Sequence, residues 1–147
     1  MNTNPKIISK TISFNLARVC TAHHYRANKL LSDIGLYVGQ EMVLQCLWQE
    51  DKLTQSQLAN QIGVKLQTIH KMIRRMERAG LVIKQADEQD RRASRVYLTP
   101  KGCEMQAVTE AAWAQLEQET LSDLTVEEQY ILRRLLNKLE ENLADCD

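Results

Sequence analysis

The segment from Gln55 to Arg74 constrains this chain more than any other. Leu58, Ala59 and Ile62 fall on one face of a short helix, with Thr54 placed to cap its N-terminus. Gly63 follows, where a tight turn needs positive φ or close backbone approach. Val64 packs the turn, and Ile69, Met72, Ile73 and Met76 form the inner face of the next helix. A small residue at 59 and a glycine four positions later let the two helices cross closely. The apolar residues at 58, 62, 64, 69 and 72 fill the crossing. This is the helix-turn-helix pattern. Many helical pairs match that spacing by chance, so the outer face of the second helix has to decide what it does.

On that face Gln67, His70, Lys71, Arg74 and Arg78 fall at i, i+3, i+4, i+7 and i+11, opposite the apolar stripe. An ordinary solvated face would intersperse acidic residues, yet Glu77 is the only one between 65 and 86. The pattern points to duplex DNA. Gln67 lies at the N-terminal end, where recognition helices meet base edges. Glutamine can pair with adenine, and arginine or lysine with guanine, in the major groove. Thr68 adds a phosphate contact near the helix N-terminus.

The charge distribution agrees. The net charge is zero, but residues 65–102 carry ten basic and four acidic side chains, whereas residues 103–147 carry three and eleven. A basic island in a neutral chain implies a local anionic partner rather than general adhesiveness.

Only five Gly and two Pro interrupt the 147 residues, so the chain should be mostly helical. Apolar residues recur at helical steps from Lys6 to Ile34 and again from Val38 to Trp48, where Met42, Val43, Cys46 and Leu47 form a stripe. Leu81-Val82-Ile83 and Val96-Tyr97-Leu98 flank a polar stretch and predict a hairpin with a long charged tip. A hairpin after a recognition helix is a wing. Arg91, Arg92 and Arg95 there suit the narrow minor groove, and Asp90 holds Arg91 or Arg92, or caps the turn. Thr99-Pro100 starts a helix running to about Leu121, and Thr125 with Glu128 forms the capping box of the last one.

The last helix carries Leu132, Leu135, Leu136, Leu139 and Leu143. With the stripe of the first helix, Leu135, Leu136, Leu139 and Leu143 exceed what a small central domain covers, so terminal helices of two chains should pack into a dimer. The expected fold class is mainly α with a small β-hairpin wing: a winged helix-turn-helix domain flanked by N- and C-terminal dimerisation helices. Residues 1–147 form one domain, with 6–34 and 100–143 as the dimerisation region and 38–99 as the DNA-binding lobe.

Leu53-Thr54, Leu58-Ala59, Gly63-Val64, Thr68-Ile69, Met76-Glu77, Gly80-Leu81-Val82, Asp90-Arg91-Arg92, Val96, Leu98-Thr99 and Gly102, in this order and spacing, resemble the MarR family of bacterial transcription regulators. The motif spans about 50 residues, and the flanking helices and length extend the resemblance over nearly the whole chain. It implies a homodimer of winged helix-turn-helix domains on pseudo-palindromic double-stranded DNA. It also implies a repressor released by a small phenolic, aromatic or lipophilic effector, held between the dimerisation helices and the DNA-binding lobe. Arg18, His23 and Tyr37 are the effector-contact candidates. Lys65 stands where the family usually has a Ser, Thr or Asp cap.

Two other readings are weighed. One is a thiol sensor acting through Cys20. Peroxide-sensing members of the family carry a cysteine near the start of the first helix, where this chain has Ser13-Phe14-Asn15. The other is a winged-helix module that binds protein instead of DNA. The four cysteines at 20, 46, 103 and 146 are scattered, without a C-x-x-C pair, as in a reducing cytoplasm. No metal is expected: His23 and His24 point about 100° apart on a helix, and no histidine follows His70. Trp48 and Trp113 are core or pocket lining. No cofactor loop or hydrolase motif is present, so the chain is not expected to be an enzyme. No apolar run is long enough for a membrane span, and the first residues lack the apolar core of a secretory signal.

Overall fold

The computed structural model describes residues 8–144. Lys6 and Cys146 lie outside the described residues. The chain divides into two compact units, one through Trp113 and one from Ala114 onward. The first contains a 3₁₀ turn (Ile8–Lys10), α1 (Ile12–Asp33), α2 (Gln40–Gln49), β1 (Leu53–Thr54), α3 (Gln55–Ile62), α4 (Leu66–Arg78), β2 (Val82–Ala86), β3 (Ser94–Leu98) and the first part of α5 (Pro100–Thr120). The second contains the rest of α5 and α6 (Val126–Ala144).

Local chemistry sets the element ends. α1 starts later than the apolar periodicity suggests, because the Thr11 hydroxyl accepts the Phe14 N–H at 3.1 Å and stops the helix there. Its stripe also divides. Ala27, Leu30 and Leu31 are buried, whereas Ile12 is 78% and Val19 59% exposed. Thr54 caps α3 in a full capping box: its hydroxyl accepts the Gln57 N–H, and the Gln57 side chain accepts the Thr54 N–H. Gly63 takes φ +77° at the turn, the left-handed conformation that side chains resist. Thr125 and Glu128 form the second capping box, at the start of α6.

The core of the first unit gathers Val43, Leu44 and Leu47 of α2, Leu58 and Ala59 of α3, and Ile69, Ile73 and Met76 of α4, with Leu53, Val82 and Val96 from the strands. Two expectations differ here. Met42 is 41% exposed and Leu44 takes an inward position in its place, while Val43, Cys46 and Leu47 face the core as the sequence stripe expects. Val64 is 36% exposed at the edge of the helix crossing, which Leu58 and Ile69 fill with Ile62 and Met72 partly buried beside them.

β2 and β3 form the hairpin, with Val82 opposite Leu98 and Ala86 opposite Ser94. β1 adds an antiparallel third strand through Leu53–Val96 and Thr54–Arg95 pairs, giving the order β1-β3-β2. Two residues have no detectable period, which is why the sequence does not announce β1. Gly102 packs the start of α5 against the Leu81 backbone just before β2. A Cβ there would collide with the Leu81 carbonyl oxygen, so only glycine fits. The Thr99 hydroxyl accepts the Gly102 N–H at 3.0 Å and caps α5 as expected.

Candidate nucleic-acid interface and an adjoining cleft

α4 is held by its inner face and open on its outer one. Ile69, Ile73 and Met76 are fully buried. Gln67, Thr68, His70, Lys71, Arg74 and Arg78 are all exposed, so the structure brings the helical candidates together on one accessible surface. Arg75 is exposed beside them. Sequence reading left it out, although it lies four residues after Lys71 and three before Arg78 and so shares their helical spacing. Glu77 is taken by Lys84 of β2 at 3.4 Å and does not oppose the outer cations. Lys65 occupies the cap position of α4 without a side-chain hydrogen bond, so the first-turn N–H groups take no side-chain partner there.

The wing is internally braced. The Asp87 carboxylate accepts the Gln89 N–H at 3.0 Å and the Arg95 Nε–H at 2.8 Å. These donors hold its carboxyl below the usual carboxylate range, the Gln89 amide contributing most. Arg95 also donates from Nη1 to the Lys52 carbonyl at 2.8 Å. It therefore straps the hairpin to the loop before β1, while Arg91 and Arg92 stand exposed at the tip. Asp90 accepts the Arg92 N–H at 3.0 Å, which makes it a turn cap. Asp51 accepts the Leu98 N–H at 3.0 Å and fixes the far end of β3.

A cleft of about 250 Å³ lies elsewhere in the first unit. α2 supplies Glu41, Met42, Gln45 and Trp48, and α5 supplies Thr109, Glu110 and Trp113. Burial pushes the Glu41 carboxyl up, against hydrogen bonds from its own and the Gly39 N–H and the nearby His24. Trp48 donates its indole N–H to the Gly102 carbonyl at 3.0 Å. Both tryptophans thus line this cleft. Of the effector candidates, His23 reaches its rim, with its ring centroid 6.4 Å from that of Trp113. Arg18 and Tyr37 are exposed and are not among the lining residues. Glu41 and Thr109 carried no sequence signal, since nothing in their spacing says that two helices will face each other there.

Cys20 and Cys103 are exposed free thiols, and Cys46 is half-buried, where desolvation pushes its pKa up. Among the described residues no group of three or more His, Cys, Asp or Glu is placed to hold a metal. No helix of the described residues is long and apolar enough to cross a membrane.

Comparison with known proteins agrees with this geometry. The MarR family model matches residues 36–94. An uncharacterised HTH-type transcriptional regulator of Bacillus subtilis (strain 168), YybA, is 26% identical over 117 residues, spanning 80% of this chain and 78% of YybA. The crystal structure of a probable transcriptional regulator from Pseudomonas aeruginosa superposes with a TM-score of 0.82 at 26% identity, over 90% of this chain and 98% of that one. The PcaV transcriptional regulator from Streptomyces coelicolor, solved with its natural ligand, gives a TM-score of 0.82 at 26% identity over 96% and 98%.

Proposed function

We propose that the chain is a MarR-family winged helix-turn-helix regulator, a homodimeric, cytoplasmic repressor that reads a pseudo-palindromic duplex site and is released by a small-molecule effector. The observation that carries the DNA reading is α4: three fully buried residues on one face, and Gln67, His70, Lys71, Arg74 and Arg78 exposed on the other. In this reading Gln67 and Arg74 meet base edges, Thr68 and Lys71 meet phosphate, and His70 and Arg78 flank them. Arg91 and Arg92 enter the minor groove from the wing. Arg95 acts at one remove, by holding the hairpin that presents them.

The dimer reading rests on apolar surface left exposed at the chain's two ends. Ile12 and Val19 on α1, and Tyr130, Ile131, Leu135, Leu136 and Leu143 on α6, are each more than 40% exposed. Residues 6–34 and 100–143 then form the dimerisation region of a single functional domain, with 38–99 reading DNA. An effector fits the same scheme, since the PcaV relative was solved with a ligand. A ligand shifts DNA affinity only through its differential affinity for two arrangements of the dimer. No reaction is assigned to the protein.

Selection from a random duplex pool tests this. A pseudo-palindrome with half-sites about 10 bp apart is expected, matching recognition helices about 34–36 Å apart on one face of the duplex. Binding without an enriched motif, vanishing as salt rises, would reduce the activity to non-specific electrostatics.

A further inference from the structure

The cleft between α2 and α5 has an unusual lining for an acid-binding site. It presents two carboxylates, Glu41 and Glu110, and neither lysine nor arginine lines it. Its walls are the indoles of Trp48 and Trp113, with Met42 beside them. Aromatic faces attract cations, most strongly in desolvated surroundings, and repel anions. Glu41 is only 5% exposed, so any anion entering would meet a weakly screened negative charge or force the carboxyl to stay protonated.

A further group points to a ligand independently of the charges. Thr109 is 3% exposed, lines the cleft, and its hydroxyl oxygen has no hydrogen-bond partner. A buried hydroxyl without a partner is costly, and an incoming polar group would relieve that cost. The cleft's volume falls just below the about 300–1,000 Å³ of drug-sized sites, so it suits a small molecule.

We propose that this cleft binds a small amphipathic organic cation, an aromatic or alkyl ammonium, as the effector of the protein. The proposal rests on the regulator reading for its consequence, not for the binding itself. The ammonium lies against the Trp48 and Trp113 rings and the Glu41 and Glu110 carboxylates. A polar group of the ligand meets the Thr109 hydroxyl, and the hydrocarbon part covers Met42.

The test uses the whole protein and benzyltrimethylammonium, with neopentylbenzene as its uncharged counterpart and benzoate as the anion. The chain has only two tryptophans and both line the cleft, so tryptophan emission, excited selectively over tyrosine, reports on this place. A saturable response to the cation is expected, with benzoate and neopentylbenzene binding at least tenfold more weakly. Glu110→Gln, at an exposed position that tolerates exchange, should weaken the cation at least fivefold, and Glu41→Gln should do the same. Equal or tighter binding of benzoate or neopentylbenzene, no saturable response, or unchanged affinity in both variants would overturn the proposal. A parallel duplex titration separates the two readings. Cation binding that leaves DNA affinity unchanged overturns the effector role, whereas failure to bind any DNA, with cation binding intact, overturns the regulator reading instead.

Discussion

Among single residues, Arg74 gives the sharpest test of the proposed reading surface. It is exposed on α4, one turn beyond His70, and its replacement removes no core contact. Arg74→Ala should leave thermal unfolding unchanged and cost roughly 1–3 kcal/mol of affinity for the selected site, with relaxed preference at one base position. Equal affinity in a fluorescence-anisotropy titration would remove Arg74 from the reading surface. Glu41 makes a prediction about pH. Its folded-state pKa is raised above the ordinary 4.5, so its protonated form favours the fold. That contribution is complete below 4.5 and is lost as pH rises through the raised value. Glu41→Gln keeps an acceptor for the Gly39 N–H without the charge. It should match or exceed the wild type in melting temperature at pH 7, and the gain should shrink on acidification. A wild type that is the more stable at pH 7 would contradict the assignment. Individual residues were unevenly legible. The α4 candidates could be read because helical periodicity alone fixes which side chains share a face. Glu41 and Thr109 could not, since their importance comes from a packing of α2 against α5 that no local pattern encodes.

At the scale of elements, the helix-turn-helix and the hairpin were legible because each advertises itself locally, through Gly63, the Thr54 cap and two β-rich runs. β1 was not, being only two residues long. One member of the α2 stripe was misplaced, because Met42 and Leu44 are both strongly apolar and composition cannot tell which faces inward. The wing is a braced element rather than a loose loop. Arg91 and Arg92 are carried on a hairpin closed by Asp87 and Arg95 at 2.8 Å. Replacing both tip arginines with alanine should weaken binding to all sequences alike and reduce the slope of log affinity against log salt by about two. A slope equal to the wild type's would remove the wing from the interface. The Asp87 brace is present above the carboxyl's unfolded pKa of about 3.9 and fades as pH falls through its lowered folded value.

For the whole molecule, self-association is the question that decides most. A single chain presents Leu135 and Leu136 at 45% exposure each and Leu143 at 69%, an apolar face that water does not tolerate cheaply. Leu136→Glu with Leu143→Glu should give a helical but monomeric protein in sedimentation velocity. Its affinity for the full site should fall at least tenfold while half-site binding persists. A double variant that still sediments as a dimer would place the interface elsewhere. The sequence named Leu135, Leu136, Leu139 and Leu143 as the surplus, and all four are exposed in the single chain, because helical periodicity places them on one side of α6.

The Trp48 indole faces two ways. One face lines the cleft, and its N–H grips the Gly102 carbonyl in the first turn of α5. Gly102 in turn has no spare room against the Leu81 backbone, from which the hairpin departs. A guest that tilts this ring must therefore either leave the latch closed and be accommodated locally, or pull on a joint with no slack. The protein's sensitivity to a guest would then be set less by how tightly it is held than by how far it turns one ring.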